Sequence, residues 1–213
     1  MTWHLQLLRF SDVVAIELPG HPTGVGFSSI QDYSQHVAEL LDKNKITNPI
    51  LVGHSMGGAI AIELALRNSS LSALVLVGTG ARLRVRQDIL AKISENYPEA
   101  AKLIARWSVS PNCDPIIIDR IAQEMLKVRA EVTYGDFLAC DKFDRMSEVA
   151  SIRQRTLVIC GANDLLTPPK YSQYLHEKIL DSRLVLIPGA GHIVMLEKHR
   201  EFNRALEDFL GSG

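Results

Sequence analysis

No stretch of this sequence is built to span a bilayer, cage a metal ion or grip a polyanion. Each absence removes a class of function. A membrane helix needs a run of about 18 or more apolar residues, and none occurs in the 213-residue chain. The opening Met1-Thr2-Trp3-His4 has no basic segment leading into an apolar one, so no signal peptide is visible. The three cysteines, Cys113, Cys140 and Cys160, form no C-x-x-C pair, and no His/Cys cluster has zinc-ligand spacing. They read as free thiols of a reducing, cytoplasmic protein. Lys and Arg number 23 against 24 Asp and Glu, a formal net charge of −1. Such a balance offers no basic field for nucleic acid or an anionic membrane.

What is present suits one compact domain, with room for an inserted subdomain. Hydrophobic residues make up 46% and charged residues 22%, enough apolar surface to build a core. Short β-branched runs alternate with helical periods. Asp12–Leu18, Pro49–His54, Ser72–Val77, Arg155–Gly161 and Arg183–Pro188 read as strands. Ile30 to about Lys45 repeats apolar residues on one helical face, with Ser28 and Gln31 at capping-box spacing. Met56 to about Arg67 is apolar almost all round, the mark of a buried helix. Pro168–Ile179, with Thr167 as cap and Pro168 in first position, and Lys198–Leu210 complete the pattern. Strands alternating with helices predict a mostly parallel sheet of five strands, covered on both faces.

Strand signals fade between about Arg82 and Ser151. The stretches 86–95, 99–107, 115–129 and 134–140 read as helices, with Ile89, Ile93, Leu103, Ile104, Trp107, Ile121, Met125 and Leu126 on their inner faces. The expected division is an α/β core of residues 1–81 and 152–213 carrying a helical cap at 82–151.

Gly53-His54-Ser55-Met56-Gly57-Gly58 joins a predicted strand to a predicted helix. A G-x-S-x-G turn in that setting projects its serine above the sheet edge, and the helix aims its first amides at the same point. The bland alternative is a Gly-rich turn with Ser55 as an ordinary N-cap. A serine hydroxyl needs a base, and the base needs an orienting group. Of seven histidines, His192 stands in a glycine loop directly after the last predicted strand. His36, His176 and His199 fall on predicted helices, His54 belongs to the serine turn, and His21 reads as a turn residue. Asp164 follows the strand before, in Gly161-Ala162-Asn163-Asp164. An ordinary turn aspartate is its alternative reading. Ser55, Asp164 and His192 all follow strands at one end of a parallel sheet, where ligands bind in such folds.

These residues resemble the α/β-hydrolase family, in its esterase and lipase branch. The likeness is carried by VVAIELPGH at 13–21, LVGHSMGG at 51–58, TLVICGANDLLTP at 156–168 and IPGAGHIVMLE at 187–197. It implies hydrolysis of a small-molecule ester or thioester through an acyl-enzyme, with Ser55, Asp164 and His192 as the triad and no cofactor, and the many Ile and Leu residues of the cap point to an apolar substrate portion. The Met56 amide matches one oxyanion donor. The other, supplied in the family by a His-Gly loop after an earlier strand, has no matching residue, and no glycine precedes Gly20. Trp3-His4-Leu5-Gln6-Leu7-Leu8 resembles the end of the helix that follows that loop. The resemblance also leaves out the strand between those matching Val13–Leu18 and Ile50–Gly53. Those two strands then either pair directly or leave an open edge, through which a second copy could complete the sheet. A naturally short or truncated chain is the favoured explanation, ahead of a misassigned start or a sheet completed by a homo-oligomer. A catalytically weak ligand-binding member, or a shortened form of reduced activity, is the rival to a full esterase.

Overall fold

Ala73–Val77 is buried along its whole length, and the molecule is layered around it. In this computed structural model, which describes residues 2–67 and 70–211, four parallel strands lie in chain order. They are β1 (Ile50–His54), β2 (Ala73–Val77), β3 (Arg155–Gly161) and β4 (Ser182–Ile187). Side chains alternate across a strand, and the core follows that period. Leu74 and Leu76 of β2 join a cluster with helices α2 (Ile30–Lys43), α3 (Met56–Leu66) and α8 (Pro169–Lys178). Ala73, Val75 and Val77 face the other way, toward Phe202 and Phe209 of α10 (His199–Leu210). Each fully buried Leu, Ile or Phe in these clusters contributes roughly 1.5–3 kcal/mol. The short α1 (His4–Leu7) docks on this second face, where Gln6 Nε2 donates to Asn203 Oδ1 at 2.9 Å.

The expected five-strand sheet has four strands among the described residues. Asp12–Leu18 forms no strand and pairs with none among the described residues, and Asp12 sits at φ 57°. A strand is held by its neighbour's ladder, and none stands beside this segment. Ile16 and Leu18 lean on the cluster around α2 and α3, while Val13 and Val14 are exposed. Of the two outcomes foreseen, the open edge is the one found: Ile50 and Val52 of β1 are exposed.

Helices α4 (Gln87–Glu95), α5 (Tyr97–Trp107), α6 (Pro115–Met125) and α7 (Ala130–Lys142) fill the stretch after β2. Ile89, Ile93, Ala100 and Ile104 form a cluster there, backed by Leu103, Trp107 and Met125. Ile121, expected on that inner face, instead packs toward the β2–α10 cluster beside Ile118 and Cys113. The chain leaves and rejoins the sheet at one place. Arg82 and Asp144 form an antiparallel bridge, and the Arg145 N–H donates to the Ala81 carbonyl at 2.7 Å.

Two predicted caps shift by a residue or more. The cap of α2 is Ser29, whose hydroxyl oxygen accepts from the Asp32 N–H at 3.1 Å, not the Ser28–Gln31 pair. For α8 the N-cap is Pro168 and the first helical residue is Pro169. Thr167 does not cap it, because its hydroxyl and amide are bound to Asp164.

Candidate active site

Parallel pairing brings the strands' C-terminal ends to one edge. His54 lies opposite Val77, Val77 opposite Ile159, and Gly161 opposite Ile187. The loops that follow carry Ser55, Asp164 and His192 to that edge.

Ser55 turns the chain from β1 into α3 with φ 53° and ψ −118°. Few non-glycine residues adopt such a backbone, and surrounding structure must hold it. Here the Ser55 N–H donates to the Val77 carbonyl at 2.9 Å, and Thr79 Oγ1 donates to the Ser55 carbonyl at 2.9 Å. The turn is also crowded. A Cβ on Gly53 would strike the Gly57 carbonyl, and one on Gly58 would strike the Thr79 side chain, whereas Gly57 faces open space. Gly53 and Gly58 are therefore the glycines the turn requires. Ser55 stands at the N-cap position of α3 but makes no side-chain capping bond, so its hydroxyl is not used as a cap. Met56 opens α3, and the first amides of a helix have no intrahelical acceptor.

Asp164 and His192 are both buried, at 2% and 5% exposure. His192 Nδ1 lies 2.8 Å from Asp164 Oδ2. A carboxylate oxygen can only accept, so Nδ1 is the donor in this contact, and in the neutral ring the lone pair falls on Nε2. Thr167 Oγ1 donates to the same Oδ2 at 2.9 Å, and the Leu166 and Thr167 amides donate to Oδ1, each at 2.9 Å. Burial pushes the Asp164 carboxyl up. Attraction to His192 and the hydrogen bonds from His192 and Thr167 outweigh it, and the group ends below its ordinary value. Asp164 makes two kinds of contact: Oδ1 closes a turn, and Oδ2 faces the imidazole. Among the described residues no hydrogen bond reaches Ser55 Oγ. Such bonds are commonly long before substrate binds.

Three neighbours escaped the sequence reading. Gly78, at φ 49°, leaves only 3.3 Å between a Cβ built on it and both Asp164 Oδ2 and His192 Nδ1. Thr167 shares the carboxylate. Glu197 accepts from the Gly191 N–H at 2.7 Å. The glycine after β2 carried a signal of sorts, since a strand ending in glycine beside two site-bearing strands leaves room for a neighbour. Thr167 and Glu197 lie in segments that carry the family resemblance, but nothing local showed these partners. Of the other histidines, His176 is exposed, while His36 and His199 are half-buried on helices. His21 does more than turn the chain: its Nε2 lies 2.9 Å from Asp136 Oδ2 on α7.

A cavity of about 230 Å³ lies between the helical stretch and the loop beyond Asp164. Ile89, Ile104, Trp107, Phe137, Leu166 and Tyr171 give it apolar walls, and Arg84, Arg86 and Lys170 add cationic side chains to the lining. Ser55 and His192 are not on its wall. Among the described residues no group of three or more His, Cys, Asp or Glu is placed to hold a metal ion, and no helix is long and apolar enough to cross a membrane.

Residues 1–205 match the alpha/beta hydrolase family. A thermophilic esterase of solved structure is 40% identical, with a TM-score of 0.88 over 99% of this chain and 84% of that one. The pimeloyl-[acyl-carrier protein] methyl ester esterase of Neisseria meningitidis is 27% identical over 93% of this chain and 68% of its own length. The dihydrolipoyllysine-residue acetyltransferase component of the acetoin cleaving system of Pseudomonas putida is 28% identical over 97% of this chain. This chain spans 58% of that protein's length.

Proposed function

The chain belongs to the alpha/beta hydrolase family, in its esterase and lipase branch, and from that premise we propose that it cleaves small apolar carboxylic esters with Ser55, His192 and Asp164. The observation that carries the proposal is the pairing of two arrangements at one sheet edge. Ser55 is held at positive φ with its hydroxyl free of capping duty, and a buried Asp164–His192 pair fixes Nε2 as the acceptor.

His192 Nε2 takes the Ser55 proton as Oγ attacks the ester carbonyl. The carbonyl π pair moves onto oxygen, and the Met56 amide at the head of α3 stabilises the oxyanion. Collapse expels the alkoxide, which receives the proton from Nε2. Water then repeats the sequence on the acyl-enzyme: His192 removes its proton, and the acid leaves Ser55, which takes its proton back. Asp164 keeps its charge throughout and holds the imidazole tautomer. We assign residues 82–151 to a cap, and the apolar side chains that it gives to the cavity, Ile89, Ile104, Trp107 and Phe137, suit the hydrophobic part of the substrate. The free cysteines support a cytoplasmic setting, and the bare edge of β1 supports self-association.

Turnover of p-nitrophenyl butyrate, followed with intact mass after a serine-directed phosphonate, tests the assignment. The wild type should turn over and gain one adduct, and Ser55→Ala should do neither. Turnover kept by Ser55→Ala would rule the mechanism out. A weaker reading, a ligand-binding protein of slight activity, draws on the single matched oxyanion donor. Losing one such donor costs about 2.7–4 kcal/mol of transition-state stabilisation. A pre-steady-state burst separates the two, since a pure binder forms no acyl-enzyme.

A further inference from the structure

The loop that carries His192 is tied on both sides to one tripeptide, on one side through Glu197 and on the other by a direct backbone bond. Its Oε1 accepts from the Gly191 N–H at 2.7 Å, and its Oε2 accepts from the Ser110 N–H at 2.8 Å. Beyond the histidine, the Ile193 N–H donates to the Ser108 carbonyl at 3.0 Å. Residues 108–110 begin the loop from α5 to α6, within the helical stretch between β2 and β3. The contact is close: a Cβ on Gly191 would run into the backbone of Val109 and Ser110. The short helix α9 (Val194–Glu197) turns the chain so that a carboxylate five residues past His192 returns to the residue before it.

We propose that Glu197 is a positioning residue, a carboxylate clamp that sets the His192 backbone and couples it to the loop from α5 to α6. The role rests on reading His192 as the base. Both bonds are short and charge-assisted, and such bonds are about twice as strong as neutral ones. Gln in this position would offer one acceptor and one NH2 group, so one of the two amides would face a donor. The clamp would open without any loss of side-chain volume. A base displaced by a fraction of an ångström still folds and still binds ester, but it takes the Ser55 proton less often.

The test compares wild type, Glu197→Gln and Ser55→Ala by two readouts. Hydrogen exchange should rise about tenfold or more at the Gly191 and Ser110 amides in Glu197→Gln. Amides of β2 should keep their wild-type rates, which shows that global stability is not the cause. On p-nitrophenyl butyrate, kcat should fall roughly tenfold or more with KM within about twofold. Unchanged exchange at Gly191 and Ser110, or raised exchange with unchanged kcat, overturns the clamp while Ser55→Ala stays inactive. Turnover that survives Ser55→Ala overturns instead the reading on which the clamp rests.

Discussion

His54 Nε2 donates to the backbone carbonyl of His192 at 2.9 Å, and the two rings lie 4.5 Å apart. The residue before the proposed nucleophile thus holds the backbone of the proposed base, across 138 positions of chain. Burial, and then the neighbouring His192, push the His54 imidazole down to about 3. It is neutral at any working pH and carries its proton on Nε2. Trp3 closes the far side of the ring at 6.5 Å between centroids.

Replacing His54 with Phe keeps a ring in that slot and removes the donor. The His192 carbonyl is left without this partner, which should lower stability by about 1–2 kcal/mol. Turnover of an aryl ester should fall severalfold in kcat with KM little changed. Thermal unfolding and steady-state kinetics on one preparation check both.

Gly78→Ala tests the space beside the pair. A Cβ there meets Asp164 Oδ2 and His192 Nδ1 at 3.3 Å, on a backbone at φ 49°. The conformation alone should cost roughly 1–2 kcal/mol. Displacing the pair should lower kcat/KM by roughly tenfold or more. Wild-type kinetics in a folded Gly78→Ala protein would show that the space is not needed.

His21 makes one part of the stability depend on pH. Its hydrogen bond to Asp136 is the largest cause of a pKa raised above 6.5, with burial opposing it. A raised folded-state value means that the contribution is fully present below the unfolded value and is lost as pH rises through the folded one. The wild type should therefore gain stability over His21→Gln on going from neutral pH to below 6.5. Solvent screening at this half-buried site keeps the gain under about 1 kcal/mol. Melting temperatures of the two proteins across that window give the difference.

Glu63 is 5% exposed on the buried helix α3 and is held by Arg145, with Nε 2.8 Å from Oε2. Arg67 gives weaker support at 3.4 Å. Arg145→Met removes the main partner and strands a buried carboxylate. Because Arg67 remains, the expected loss is about 2 kcal/mol, less than breaking a fully isolated buried pair. Glu63→Met combined with Arg145→Met should recover much of it. Urea unfolding of the three proteins reads the difference.

The sequence was most legible where structure is local. Strands β1 to β4 and the buried helix α3 follow from apolar period and run length within a few residues of chain. The G-x-S-x-G turn, and loops bearing Asp164 and His192 after β3 and β4, follow from parallel alternation, which sends every strand end to the same edge.

Tertiary structure decided whatever depends on a distant partner. Asp12–Leu18 has the composition of a strand, yet a strand exists only through its neighbour's ladder, and none is beside it. Thr167 reads as a helix cap, but the buried Asp164 carboxylate, in need of donors, takes both its hydroxyl and its amide. Glu197 ends one of the segments that carry the family resemblance, yet its use appears only when Gly191 and Ser110, 81 residues apart, both present an N–H to it. Local propensity and periodicity are written in neighbouring residues. Long-range hydrogen bonds are settled by whichever buried polar groups the folded chain brings together.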